Sequence, residues 1–105
     1  MLELKVEKDS LLVKVTGDLD LVVAKEFREK IDEQLEQQQK QNLIVDLSQV
    51  KFIDSSGLGA ILGRYKIIQG MGGKMTIIGA NPTVYRILDL SGVMKIITVF
   101  KQQTA

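Results

Sequence analysis

Residues 43–69 read LIVDLSQVKFIDSSGLGAILGRYKIIQ. The first five of these residues are mostly apolar and rich in β-branched side chains, which predicts a short buried strand. The Asp-Ser-Ser run at 54–56 supplies side-chain oxygens of the kind that cap the free N–H groups at a helix start. We therefore expect a helix from about Ser56 to Gln69, ended by the glycines that follow it.

Two segments of alternating apolar and polar residues precede this stretch. They run over Leu2–Val6 and Leu11–Val15, and a polar break separates them, so we expect two strands joined by a turn. Turn-type residues at Gly17–Asp20 interrupt the pattern. Apolar residues then recur every four positions, which predicts a helix from Leu21 to about Lys40. Its apolar stripe consists of Val23, Phe27, Ile31 and Leu35.

The segments that follow the central helix continue the alternation of strands and helices. Lys74–Ile78 reads as a strand, and Asn81-Pro82 supplies an N-cap and a first-turn proline for a helix that ends near Ser91-Gly92. Ile96–Phe100 closes the chain as a strand. The sequence therefore predicts one α/β domain over residues 1–105. We expect a sandwich with a mixed β-sheet after an N-terminal hairpin and with the helices packed mainly on one face.

Composition excludes several kinds of function. The chain has no cysteine and no histidine, so disulfides, thiolate metal sites and histidine general bases are absent. A formal net charge of +1 without a basic block gives no sign of nucleic-acid binding. Neither an export signal nor an apolar run of membrane-spanning length is visible, so we expect a cytoplasmic protein with no membrane partner.

Motifs for catalysis are weak. No phosphate-binding glycine loop is present, and we expect no cofactor and no bound metal. Ser55 could serve a small hydrolase only if a lysine acted as its base. Asp18, Asp20 and Asp46 could in principle hold Mg²⁺ for a phospho-carrier that uses Asp46, but turn and strand-end roles explain these aspartates better.

The central helix itself carries the stronger signal. Three glycines lie within about four turns, and each costs about 1 kcal/mol relative to alanine. On a helical wheel one apolar stripe, expected to face the sheet, consists of Leu58, Ile61, Tyr65 and Ile68, with Leu62 at its margin. The opposite stripe is small and nearly uncharged, and it consists of Ser56, Gly59, Ala60, Gly63 and Ile67. Such a face is typical of a docking surface for another protein, and a second buried face is the alternative.

Ser55 begins the same helix beside this face. A phosphate there would add about −1.5 to −2 charges and three acceptor oxygens. The positive end of the helix tolerates an anion, so the fold should survive. A docked partner would meet an unsolvated charge, and a penalty of about 3 kcal/mol would weaken binding roughly 150-fold.

The segment from Asp54 to Lys66 resembles the signature of the anti-sigma-factor antagonists, bacterial members of the STAS domain family, and is most similar to the sporulation type that opposes the anti-sigma F factor. Gly17-Asp18-Leu19-Asp20 and Gly72-Gly73 also fit the family pattern. The resemblance implies a regulator that binds an anti-sigma factor, itself a serine kinase, and so frees a sigma factor for transcription. It further implies that this kinase phosphorylates Ser55, which switches binding off, and that a serine phosphatase restores the protein.

The resemblance also implies that Asp20 and Asp54 contact the partner, and we count Gly57 among the docking residues. Family members often carry a further C-terminal helix, for which residues 101–105 are few. Other interpretations stay open: a STAS scaffold subunit of a stress-signalling complex, the hydrolase or phospho-carrier above, and a purely structural oligomer.

Overall fold

The computed structural model of the protein describes residues 1–38 and 42–103. The strands are β1 (Leu2–Val6), β2 (Ser10–Thr16), β3 (Asn42–Gln49), β4 (Met75–Ala80) and β5 (Thr98–Lys101). The helices are α1 (Leu21–Gln38), α2 (Ser55–Gly70) and α3 (Pro82–Leu90), and a short 3-10 helix spans Val93–Lys95.

The five strands form one sheet in which the spatial order equals the chain order, β1-β2-β3-β4-β5. β1 pairs with β2 antiparallel, and the later neighbours pair parallel. One helix connects each parallel pair. Because such crossovers are almost always right-handed, a sheet built in chain order carries all its helices on the same face. The predicted mixed sheet with a hairpin at its start and helices mainly on one face is confirmed.

Burial alternates along the strands and separates the two faces of the sheet. Val13, Val45 and Ile77 point toward the helices and are fully buried, while their neighbours Lys14, Asp46 and Ile78 are half-buried on the other face. The helix-side core is completed by Phe27, Ile31, Ile61, Ile68 and Leu88. On the open face the strand register sets charges of opposite sign side by side, since Lys14 pairs with Glu3 on one side and Asp46 on the other. Such pairs suit a face that water can reach.

Several predicted strand boundaries differ from the structure by one or two residues, most clearly at the last strand. The last strand was expected over Ile96–Phe100, but the N–H groups of Ile96 and Ile97 both donate to the carbonyl oxygen of Val93, at 3.1 and 2.9 Å. This prediction was wrong for those two residues, because they end the 3-10 turn and pairing with β4 begins only at Thr98. The expected end of the first helix near Lys40 falls at 39–41, outside the described residues.

Candidate functional site

Helices α1 and α2 both begin at one edge of the sheet, where β2 and β3 end. The connecting segments are joined there by a bridge between Leu19 and Ile53. The Leu19 N–H donates to the Phe52 carbonyl oxygen at 2.9 Å, and the Asp54 N–H donates to the Leu19 carbonyl oxygen at 3.3 Å. These backbone bonds bring the Gly17–Asp20 turn beside the Asp-Ser-Ser segment, as the carboxyl ends of neighbouring parallel strands require. We call this place the switch edge.

The two aspartates predicted to contact a partner, Asp20 and Asp54, cap the two helices. Asp20 Oδ1 accepts a hydrogen bond from the Val23 N–H at 3.1 Å, and Asp54 Oδ1 accepts one from the Gly57 N–H at 3.0 Å. Each side chain therefore satisfies a backbone donor that the helix leaves free. Asp20 is exposed and Asp54 half-buried, and within residues 1–38 and 42–103 no hydrogen bond engages the second oxygen of either carboxylate.

Ser55 is the first residue of α2 and is exposed, and Ser56 beside it is half-buried. No hydrogen bond or ion pair among the described residues joins either hydroxyl to a basic side chain that could activate it as a nucleophile. Ser55 is thus accessible to another protein and lies at a capped helix start.

Gly57 does not line an accessible surface, and the structure contradicts that part of its predicted docking role. It is buried, and a Cβ added there would lie 2.8 Å from Leu19 Cγ and 2.9 Å from Ile53 Cγ2, and closer still to the Leu19 carbonyl oxygen. Only a residue without a side chain lets the first turn of α2 rest on the bridge between Leu19 and Ile53. The glycine is required by packing.

Ala60 is also misplaced by the wheel, because it is 1% exposed and belongs to the core. The buried residues of α2 are Gly57, Ala60, Ile61, Arg64 and Ile68. This arc is turned by roughly 60° from the predicted one on a wheel of about 100° per residue. The reason is that α2 has two neighbours, the sheet and α1, and Ala60 and Arg64 lie within the buried arc. An Ala60→Arg change would therefore disturb the core instead of probing a partner.

Arg64 is the main residue of α2 that the hydrophobic pattern missed. Its Nε lies 2.8 Å from Asp32 Oδ1 on α1, and its Nη1 donates to the Ala60 carbonyl oxygen at 3.4 Å. Burial lowers the pKa of the Arg64 guanidinium, and the Asp32 carboxylate opposes this shift. Burial likewise raises the pKa of Asp32, against the opposing charges of Arg64 and Arg28. Desolvation thus outweighs attraction at this pair.

The remaining predicted docking residues of α2 are accessible. Gly59 and Ile67 are exposed, and Gly63 is half-buried. A Cβ added at Gly59 or Gly63 would meet no atom within 4 Å, so packing within the chain does not require glycine at either position. These two glycines leave a bare strip of helix that starts beside Ser55.

Three exposed apolar side chains at the switch edge were not singled out from the sequence. Leu21 and Val22 form the first turn of α1, and Phe52 lies two residues before the cap of α2. A signal was available, because the first turn of α1 contains no acidic residue although that position favours negative charge.

The aspartates considered for Mg²⁺ are not assembled into a site. Among residues 1–38 and 42–103, no group of three or more carboxylates could hold a metal ion. Asp46 lies on the open face of β3, where its Oδ1 accepts the Ser48 N–H at 2.9 Å. Gly79 approaches these residues with a φ of +75°, and a Cβ there would lie 3.0 Å from Asp46 Oδ1. The Asp46 side chain is thus bonded within its own strand, and β4 leaves no room for a side chain at Gly79 beside it.

These features define a small α/β domain in which helices cover one face of a mixed sheet and an exposed serine stands at a capped helix start. The chain belongs to the STAS domain family, whose model matches residues 1–104. The resemblance drawn from the sequence is confirmed. Within the described residues, no helix is long and apolar enough to cross a membrane.

Relatives of known name agree with this family. The chain is 37% identical to an anti-sigma F factor antagonist of Paenibacillus polymyxa, over 97% of this chain and 87% of that protein. It is 28% identical to an anti-sigma-B factor antagonist of Bacillus subtilis, over 92% and 87%. Its fold matches the anti-sigma factor antagonist SpoIIAA in its unphosphorylated form, with a TM-score of 0.84, 24% identity, and coverage of 94% and 87%. The phosphorylated form of the Bacillus protein SpoIIAA gives a TM-score of 0.75, 24% identity, and coverage of 94% and 90%.

Proposed function

We propose that this protein is an anti-sigma factor antagonist, a non-catalytic cytoplasmic regulator that works as a single domain. Its unphosphorylated form binds an anti-sigma factor that is also a serine kinase, and the bound sigma factor is released for transcription. Phosphorylation of Ser55 by that kinase ends the contact, and a serine phosphatase restores it. The observation that carries the proposal is the exposed Ser55 at the capped start of α2, beside a strip of helix with almost no side chains.

The capping bond explains how a phosphate could act without changing the fold. Asp54 Oδ1 already occupies the Gly57 N–H, and the Leu58 N–H donates to the Asp54 carbonyl oxygen at 3.0 Å. A phosphate on Ser55 therefore finds the inner donors of the first turn engaged and a carboxylate next to it. It stays at the surface, where the helix end favours its charge and a docked partner would have to desolvate it.

The accessible glycines explain how a partner could approach. Gly59 lies one turn beyond Ser55, and Gly63 lies one further turn along the same side. Without side chains there, the backbone of a partner can come close to the backbone of α2. The glycines weaken the helix by about 1 kcal/mol each relative to alanine, and a docking role supplies a reason for keeping them.

The test is phosphorylation of the intact chain by its anti-sigma kinase with ATP, followed by mass spectrometry. We expect one added phosphate on Ser55 and none on Ser55→Ala. Ser55→Asp should keep the melting temperature of the wild type and bind the kinase roughly 100-fold more weakly, which corresponds to about 3 kcal/mol. Phosphate on Ser56 alone or on an aspartate would overturn the assignment of Ser55, and unchanged affinity of Ser55→Asp would refute the charge mechanism.

A further inference from the structure

The switch edge carries an apolar surface that the fold does not use. Leu21 is 66% exposed, Val22 is 77% exposed and Phe52 is 50% exposed. Leu21 and Val22 directly follow the cap residue Asp20, and the backbone of Phe52 accepts the Leu19 N–H at 2.9 Å. We call these three residues the edge patch. Ser55 lies on the same edge, three residues after Phe52.

Folding gives no reason for apolar side chains at these positions. The first turn of a helix favours Asp or Glu by about 0.3–1 kcal/mol each, and valine is a poorer helix former than most polar residues with straight side chains. Exposed as they are, Leu21 and Val22 bury little surface in return. Exposed apolar residues that gather at one place are typical of surfaces that another protein covers.

The charges around the edge patch indicate the chemistry of the occupant. Asp18 and Asp20 flank the bridged Leu19, and Asp54 donates its N–H to the carbonyl oxygen of the same residue. The same two segments, residues 17–25 and 50–56, also contain the exposed lysines Lys25 and Lys51. Their three carboxylates therefore exceed their two cations by one. Asp20 and Asp54 each use one oxygen in a cap and keep the other. The complementary surface has an apolar depression with basic side chains at its rim.

We infer that Leu21, Val22 and Phe52 form the anchor by which the anti-sigma kinase holds this protein, through an apolar depression rimmed by Lys or Arg. This inference rests on the proposed function and adds the part of the surface that supplies most of the affinity. Ser55 lies at the rim of the anchor, where the closing partner excludes water. A phosphate at that position meets the partner without solvent, and burying a charge that has no partner costs binding free energy.

A pair of matched double variants tests the anchor. Leu21→Ser with Val22→Ser removes the exposed apolar groups at the switch edge. Leu90→Ser with Ile96→Ser removes side chains of similar exposure, 75% and 49%, at the opposite edge of the sheet. Affinity for the anti-sigma kinase and kcat/KM for phosphorylation of Ser55 are measured for both variants and for the wild type, with melting temperatures as the check on folding.

We expect the switch-edge variant to bind roughly 30-fold or more weakly and the opposite-edge variant to stay within about 2-fold of the wild type. Affinity of the wild type should also fall as salt is raised, because the rim contacts are between charges. Equal affinity of the two variants would overturn the anchor, and affinity that does not depend on salt would overturn the basic rim. A wild type that neither binds nor is phosphorylated refutes the proposed function itself, and the inference with it.

Discussion

Gly57 and Gly59 lie two residues apart in the same helix, yet replacing each by alanine should change the stability of the protein in opposite directions. At Gly57 the new Cβ would collide with the backbone and side chain of Leu19, whereas at Gly59 it meets open space. We expect Gly57→Ala to lower the free energy of unfolding by about 2 kcal/mol or more. Gly59→Ala should raise it by up to about 1 kcal/mol.

Urea unfolding followed by circular dichroism would measure both changes. Binding of the anti-sigma kinase gives the functional counterpart, because Gly59→Gln should stabilise the helix and still obstruct a close approach of the partner. Gly70→Gln is the matched control, since Gly70 is exposed, has open space around it and lies at the far end of α2. A Gly57→Ala variant as stable as the wild type would show that the close packing on Leu19 is not needed.

The pair of Asp32 and Arg64 leads to a prediction about pH. Since burial raises the pKa of Asp32 above its ordinary value of 3.8, the folded state binds more protons than the unfolded state in the window just above pH 3.8. Stability contributed by this group is therefore present at low pH and is lost as the pH rises through the raised pKa.

Unfolding free energies of the wild type and Asp32→Asn should show this. The wild type should lose free energy of unfolding relative to Asp32→Asn as the pH rises from about 4 toward neutrality. The change should be small, because the Asp32 side chain is 43% exposed and water screens the pair. A wild type that gains stability over Asp32→Asn with rising pH would mean that attraction to Arg64 outweighs desolvation.

At the scale of elements, the helix starts should not be equally sensitive to loss of their caps. Asp54→Ala removes one bond, from the Gly57 N–H, and should cost about 1 kcal/mol. Asn81→Ala removes two, because Asn81 Oδ1 accepts the Val84 N–H at 2.9 Å and Nδ2 donates to the Val50 carbonyl oxygen at 2.7 Å. We expect the second loss to be about twice the first.

Thermal unfolding of the two variants under identical conditions would compare these costs. Asp20→Ala, which removes the single cap bond of α1, serves as the reference for a one-bond loss. An Asn81→Ala variant no less stable than the other two would show that its bond to the loop before α2 contributes nothing to the stability of the fold.

The elements also show what could be predicted from the sequence. Period-two alternation was sufficient for β1 and β2, and the Asp-Ser-Ser and Asn-Pro runs marked the starts of α2 and α3 to within one residue. These signals are local, since caps and alternation depend on neighbours in the chain. Ser55 was identified as a candidate from its place at the start of α2, whereas Asp20 and Asp54 became candidates through the resemblance to the family.

The buried face of α2 could not be predicted in the same way, because it depends on packing against α1. That helix starts at Leu21, 34 residues before the start of α2 at Ser55. A wheel ranks residues by hydrophobicity, so it passed over buried Arg64 and Gly57 and placed Ala60 outside. The ion pair of Arg64 with Asp32 forms only when α1 packs against α2. Such tertiary contacts override the local pattern.

At the scale of the whole molecule, the two faces of the sheet should differ in their tolerance of the same change. Ile77 and Ile78 are neighbours in β4; the first is fully buried under the helices and the second is half-buried on the open face. Ile77→Ala should cost about 2–5 kcal/mol, because it leaves a cavity in the core. Ile78→Ala should cost less than half as much, because water can fill the space.

Chemical denaturation of both variants would measure this difference, and hydrogen exchange of β3 and β4 amides would show whether the sheet stays intact. Equal losses would mean that another part of the protein covers the open face in solution.

The strand order, which equals the chain order, bears on how the protein is made. Each strand after the first pairs with the strand synthesised just before it, so the sheet can grow one strand at a time in chain order. Each parallel crossover joins adjacent strands through an α-helix, so no pairing in the sheet must skip an intervening strand. Ser55 and its helix can take their final positions as soon as the fourth strand emerges, before synthesis of the chain is complete.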